Sequence, residues 1–272
     1  MSVKKDPSGR RSIQVEVEVP GTPEQVWEAI ATGPGISSWF VPTELEGRNG
    51  GVMTCHFAPG MDSHATITSW EPPHRLTADS DGFAPGAPTM ATEWTVEARS
   101  GGTCIVRVVH SLFASTDEWD DQLEGTESGW PAFFRILRLY LAHFRNQPSV
   151  TFMVTSIAPG SSSTAWEKLT GALGLGEAAV GARQNTKPGA PELSGTVEAA
   201  GSGNHPFKLL LLEQPAPGAV FLSACPMGEQ VYLSSAFYLF GKNAADAAKK
   251  SEPLWKVWMN QHFGAPTPAT TG

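Results

Sequence analysis

Residues 13–19, IQVEVEV, alternate without a break, which places Ile13, Val15, Val17 and Val19 on one face of a strand and Gln14, Glu16 and Glu18 on the other. The pattern changes at Pro20-Gly21. Thr22 can cap, Pro23 takes the first helical position, and PEQVWEAIA follows as a short helix with Val26, Trp27 and Ile30 facing inward. Gly33-Pro34-Gly35 is expected to stop it, and ISSWF to add a turn that brings Trp39 and Phe40 to the edge of the core. Period-two runs then return. Gly50-Gly51 opens a strand through Phe57, APGMD turns, and HATITSW runs back until Pro72-Pro73. HRLTADS, TMATEWTVEA and TCIVRVVHSLF supply three more strands, the last two joined by Ser100-Gly101-Gly102.

In residues 128–144 the period lengthens from two to 3.6. Trp130, Phe133, Phe134, Leu137, Leu141 and Phe144 draw one apolar stripe, with Arg135, Arg138 and Arg145 on the other side. Ser128 can cap this helix, which would leave Pro131 in the first turn, where its missing N–H removes no helical bond. Such a helix spans roughly 25 Å, the length of a strand of about eight residues, so a sheet can wrap it. Ile136, Leu139 and Tyr140 widen the arc, and a flank is expected to meet something besides that sheet. The order of strand, helices, antiparallel strands and long helix is an α+β plan.

A resemblance rests on a series in fixed order: Trp27, Trp39-Phe40, Gly50-Gly51, Pro72-Pro73-His74-Arg75-Leu76, Glu93-Trp94, Gly102-Thr103, His110 and Gly129-Trp130. Over about residues 13–146 the series resembles the START-like SRPBCC superfamily. Within it, the chain is most similar to the branch named after the C-terminal domain of the activator of the Hsp90 ATPase. The resemblance implies a helix-grip fold, a curved antiparallel sheet closed around a long C-terminal helix, with a cavity between them. Periodicity alone supplies the layout but not the cavity.

The second half repeats these signals in worn form. Pro20-Gly21, five residues, Trp27-Glu28 recurs as Pro159-Gly160, five residues, Trp166-Glu167; Glu71-x-Pro73 recurs as Glu213-x-Pro215, and His143-Phe144 as His262-Phe263. VTFMVTSI, SSTAWEKLTGAL, KLLLLEQ, AVFLSA, EQVYLSSAFYLF and AADAAKKSEPLWKVWMNQHF then read as first strand, short helix, sheet and closing helix, without a Trp-Phe pair, a double glycine or one of the hairpins. The expected organisation is two tandem copies. Residues 1–12 form a disordered N-terminus, 13–147 a START-like domain, 148–264 a degenerate second copy, and 265–272 a disordered tail. Residues 181–191, GARQNTKPGAP, are expected to be a flexible surface loop.

Composition narrows the function. The chain has 272 residues, 40% hydrophobic and 17% charged, enough for two domains of ordinary make-up. A net charge of -8 with 19 Lys and Arg argues against nucleic acid or an anionic membrane as partner. The polar N-terminus and the lack of 18 consecutive apolar residues lead us to expect a cytoplasmic protein with no integral membrane association. Cys55, Cys104 and Cys225 are widely spaced and suggest neither a disulfide framework nor a zinc site. With 28 Gly and 22 Pro, many short strands joined by turns fit better than a helical bundle.

Cys104, Val106, Val108 and His110 share the face that should meet the long helix, so His110 is either a polar group, or general acid, for a ligand in the cavity, or a half-buried histidine bonded to its neighbours. No partner at fixed spacing supports catalysis, which favours the second reading. Trp94 shares its inward face with Met90, Thr92 and Val96. The expected cavity lies among Trp39, Phe57, Trp94, His110, Trp130, Phe134 and Leu137, with His110 as its polar contact, while the second copy is closed or holds less space. His56 and His64 read as exposed or singly bonded histidines rather than metal ligands, and the acidic run from Asp117 through Glu124 as a solvated connector without calcium-loop spacing. No G-x-S-x-G, P-loop or dinucleotide fingerprint is present, so no catalytic residue, metal or cofactor is assigned.

Three functions follow from the resemblance. A binder of small hydrophobic or lipid-like ligands leads; an aromatase/cyclase-type enzyme on hydrophobic polyketide-like substrates and a chaperone-interacting stimulator of an Hsp90-type ATPase are the alternatives. The chain shows no separate N-terminal domain resembling the working part of such activators. The ligand partner is therefore expected to be small and hydrophobic.

Overall fold

The computed structural model describes residues 3–58, 61–81, 86–114, 116–227 and 230–264. The chain divides into two compact units, Met1–Arg145 and Asn146–Gly272.

In the first unit the elements are β1 (Lys4–Lys5), β2 (Arg10–Pro20), α1 (Pro23–Ala31), α2 (Gly33–Ser37), β3 (Thr43–Leu45), β4 (Val52–Ala58), β5 (Met61–Glu71), β6 (Arg75–Ser80), β7 (Met90–Arg99), β8 (Thr103–Phe113) and α3 (Asp120–Leu139), which continues as a π-helical turn (Tyr140–Phe144). The strands form one antiparallel sheet in the order β1-β2-β8-β7-β6-β5-β4-β3. Strand β2 closes against β8 over its full length, from Arg10 opposite Phe113 to Pro20 opposite Thr103. That pairing sends Val106, Val108 and Leu112 inward, as alternation requires, onto the buried stripe Trp130, Phe134, Leu137, Leu141 and Phe144. Fully burying a side chain such as Phe134 or Leu137 contributes roughly 1.5–3 kcal/mol. The result is an α+β helix-grip fold, an antiparallel sheet closed by one long helix.

Local chemistry sets the ends of the elements. Thr22 and Gln25 form a capping box at α1. Gly33-Pro34-Gly35 does not simply stop that helix: Thr32 caps a new one, and Gly33 and Pro34 are its first residues. A Cβ on Gly35 would collide with the Glu28 carbonyl oxygen, so only glycine lets α2 fold back this closely.

Three expectations for this unit fail. The long helix starts at Asp120, not Ser128, so Pro131 lies well inside it and removes the helical bond to the Glu127 carbonyl. The acidic run, although exposed at Asp117, Glu118, Asp121 and Glu124, is more than a solvated connector. Asp120 is the first residue of α3, and it and Asp117 receive the N-terminal segment: Arg11 donates to Asp120 Oδ1 and Asp117 Oδ1 at 2.6 Å each, and Lys5 Nζ lies 2.8 Å from Asp120 and 3.2 Å from Asp117. Arg11 Nε also reaches the Ala114 carbonyl at 3.2 Å. Residues 3–12, expected without structure, are held by these charges and by the pairing of β1 with β2. As for the widened arc of α3, Tyr140 finds a partner within the unit in the hydroxyl of Ser38.

In the second unit β9 (Ser149–Pro159), α4 (Ser162–Leu173), β10 (Arg183–Asn185), β11 (Ser194–Gly201), β12 (Phe207–Gln214), β13 (Gly218–Met227), β14 (Gln230–Phe240) and α5 (Ala244–His262) follow in order. Its antiparallel sheet runs β10-β11-β12-β13-β14-β9, so the first long strand again lies beside the last. Trp27 and Trp166 are each the fifth residue of a short helix capped by a hydroxyl, from Thr22 and Ser161; the first is buried and the second partly buried. Residues 181–191 are not merely loop, since Arg183–Asn185 pairs with β11 as an edge strand. The tail 265–272 lies outside the described residues. Among the described residues no helix is long and apolar enough to cross a membrane.

Candidate ligand-binding cavity

Between the sheet and the long helix of the first unit lies a cavity of about 390 Å³. Its walls come from both sides of the grip. Trp94 and Thr92 enter from β7 and His110 from β8, all inward by strand parity, while Trp130 and Phe133 come from α3. Trp39 and Phe40 close one side just after α2, and Trp39 is held there by donating its indole N–H to the Ala29 carbonyl at 2.9 Å. The rings touch in series. Phe40 stacks on Trp130 with centroids 5.4 Å apart and meets Phe133 edge-on at 4.6 Å, and Trp94 stands nearly perpendicular to Trp130 at 5.0 Å. Phe57, 39% exposed, meets Phe40 edge-on at 5.6 Å. Gly125, Thr126 and Gly129 of α3 complete the outer wall with little bulk.

Five of the seven expected residues, Trp39, Phe57, Trp94, His110 and Trp130, therefore line one cavity. Phe134 and Leu137 do not. They lie on the same helical stripe but are packed in the core, 2% and 0% exposed. Sequence reading missed Phe40, Phe133 and Thr92 as wall residues, although all three were visible as inward or core-edge positions. Helical and strand periods tell which face is inward, but not where along that face the packing leaves a gap.

His110 is 5% exposed and bonded at both nitrogens. The Trp130 indole donates to Nε2 at 2.8 Å, and Nδ1 lies 2.9 Å from the Thr92 hydroxyl oxygen. Burial pushes its pKa down to about 4, so at neutral pH the ring is uncharged. An imidazole with both nitrogens engaged is a structural link between helix and sheet, not a general acid poised toward the cavity. Among the described residues no Asp, Glu, Lys or Arg contributes to the lining. Cys55 also faces the cavity; burial raises its thiol pKa, which keeps it in the unreactive form. His56 and His64 are each engaged across the β4–β5 pair, with Asp62 at 2.9 Å and Thr54 at 3.1 Å.

In the second unit the place of His110 is taken by an apolar ring. His110 stands opposite Ile13, the fourth residue of the first long strand; Phe237 stands opposite Phe152, the fourth of β9. Phe237 stacks on Phe152 at 4.6 Å and meets Trp255 of α5 at 5.0 Å. A groove of about 720 Å³ lies elsewhere in that unit, against α4 and Lys208, whose ammonium donates to the Leu175 and Gly176 carbonyls and to Gln184 Oε1.

Residues 20–142 match the family model described as activator of Hsp90 ATPase homolog 1-like protein. The match spans most of the first unit and stops short of the second. Solved structures similar to the chain include CalU16 from Micromonospora echinospora, 21% identical over 52% of this chain and 83% of that one, with a TM-score of 0.42. Protein MLL2253 from Mesorhizobium loti is 21% identical over 48% and 97%, with a TM-score of 0.43. DynU16, from the dynemicin biosynthetic locus, is 16% identical over 91% and 94%, with a TM-score of 0.42. No curated protein matches the chain. All the residues that line the cavity fall within the matched segment.

Proposed function

We propose that the activator-homologue-like unit binds a small hydrophobic molecule in the cavity between its sheet and α3, and that the protein acts in the cytoplasm as a ligand-binding protein rather than an enzyme. The observation that carries this reading is the cavity itself: about 390 Å³, walled by Trp39, Phe40, Trp94, Trp130 and Phe133, with no charged side chain among the described residues of its wall. Apolar concavities of this size are where small molecules lose most surface to protein, at roughly 25 cal/mol per Å² of apolar area. The cyclase-type alternative loses its best proton donor, because both His110 nitrogens are engaged within the protein. We read residues 148–264 as a degenerate copy of the same domain, supported by the common strand order and by the matching places of Trp27 and Trp166. Phe237 and Trp255 are fully buried against each other, which supports reading that copy as serving a role other than holding this ligand.

Native mass spectrometry of protein purified from its own host should show an added mass that is lost on denaturation. Trp130→Ala should weaken binding of a neutral fluorescent hydrophobe by tenfold or more, while Trp166→Ala leaves it nearly unchanged, both variants remaining folded by circular dichroism. Equal losses, or none, would move the site away from this cavity.

A further inference from the structure

The hydrogen bonds around His110 have a direction. An indole N–H can only donate, so Nε2 of His110 must accept from Trp130, and a neutral ring then carries its hydrogen on Nδ1. That hydrogen points to the Thr92 oxygen, 2.9 Å away, which therefore accepts. The Thr92 hydroxyl hydrogen is left over. Among the described residues the Thr92 side chain makes no other hydrogen bond, and Thr92 lines the cavity. Of the other hydroxyls of the wall, Ser80 donates to the Met90 carbonyl at 3.4 Å and Thr126 to the Gln122 carbonyl at 2.9 Å, while Ser63 is exposed to solvent, which already satisfies it.

We propose that Thr92 is the specificity-determining polar contact, an obligatory hydrogen-bond donor fixed by the chain Trp130 to His110 to Thr92, and that the cavity takes an uncharged, ring-containing molecule bearing an acceptor oxygen such as a ketone, aldehyde or ether. This rests on the ligand-binding reading above. The series of rings selects a flat, apolar body. A carboxylate is rejected, because no cation in the wall offsets its desolvation. A hydrocarbon of equal shape fits but leaves the Thr92 hydrogen unpaired. By volume the space equals that of about thirteen water molecules at about 30 Å³ each, the scale of a two-ring compound with a short substituent.

The test uses the full chain and displacement of N-phenyl-1-naphthylamine fluorescence by three competitors of one shape: 2-acetylnaphthalene, 2-ethylnaphthalene and 2-naphthoate. The ketone should compete about three- to tenfold better than the hydrocarbon, the range a single net hydrogen bond supplies, and the carboxylate at least tenfold worse than the ketone. In Thr92→Val, which keeps the shape and a strand-favouring side chain, the preference for ketone over hydrocarbon should vanish. An unchanged preference in that variant overturns the inference while leaving the ligand-binding reading intact; no displacement by any competitor removes both. Imidazole ¹⁵N shifts of the unliganded protein give a second check that needs no variant. They should show His110 with the hydrogen on Nδ1, and a hydrogen on Nε2 refutes the directed chain.

Discussion

Acidification from pH 7 to pH 4 should destabilise the first unit through one side chain. His110 is buried among rings, and its pKa falls from the ordinary 6.5 to about 4 because burial disfavours the charged form. In the unfolded chain the group titrates near 6.5, so between that value and about 4 the unfolded state holds a proton that the folded state does not. The contribution of the neutral, buried ring is therefore complete above pH 6.5 and is lost as the pH falls toward 4. At about 1.4 kcal/mol per pH unit, the gap amounts to about 3 kcal/mol, a large share of the stability of a small domain. Urea series at pH 7, 6, 5 and 4, with unfolding of this unit read by pulsed hydrogen exchange on a peptide spanning β8, measure it directly. The control is His110→Phe, the residue that the second unit holds at the corresponding strand position. This variant starts from lower stability, since Trp130 and Thr92 lose their partner, but its curve against pH should be flatter by about 3 kcal/mol. Parallel curves for the two proteins would refute the argument.

Other expectations test the packing and the ion pairs. Leu137→Ala should cost about 2–5 kcal/mol, as for a fully buried leucine, yet leave the affinity for a neutral hydrophobic probe within about twofold, because Leu137 is core and not cavity wall. Arg11→Met should raise hydrogen exchange at the start of α3 more than at its end, since Asp117 and Asp120 lose the guanidinium that joins them. For Asp117 the hydrogen bonds from Arg11 and Lys5 hold the pKa below the ordinary 3.8, and for Asp120 the same bonds outweigh the opposing effect of burial. Protection of that helix end should thus persist above pH 3.8 and fail as the pH falls further, a window below that of His110; loss already at pH 6 would rule the carboxylates out as its cause.

Much of the fold was legible because its strands alternate and its helical stripe is broad. Ile13 to Val19 and Cys104 to His110 reveal their inward faces without a structure, as does the stripe from Trp130 to Phe144. The first turns of α3 were not legible. DDQLEGTESG carries one large apolar residue, Leu123, and two glycines, and what supports its start is a set of ion pairs to Lys5 and Arg11, more than a hundred positions away in the chain. The edge strand RQN is missed for a related reason: it is polar and short, and only its pairing with β11 makes it a strand. At the site, parity places His110, Thr92 and Trp94 on one side of a sheet. It is silent about the bond from a helical indole that fixes the histidine, because that bond depends on how far along the helix Trp130 sits over β8.

On the ligand-binding reading proposed above, the ion pairs of Lys5 and Arg11 would also tie ligand uptake to the beginning of the chain. They fasten Asp120, and only about one and a half helical turns beyond it, roughly 8 to 9 Å along the axis, Gly125 and Thr126 form the thin outer wall of the cavity. A loosened helix end is a loosened doorframe. Trimming the first dozen residues as dispensable, or crowding them with a purification tag, would change the rate at which molecules enter and leave without altering any side chain that a ligand touches. Protein preparations that differ only in those residues would then disagree about binding and release rates while sharing the same cavity.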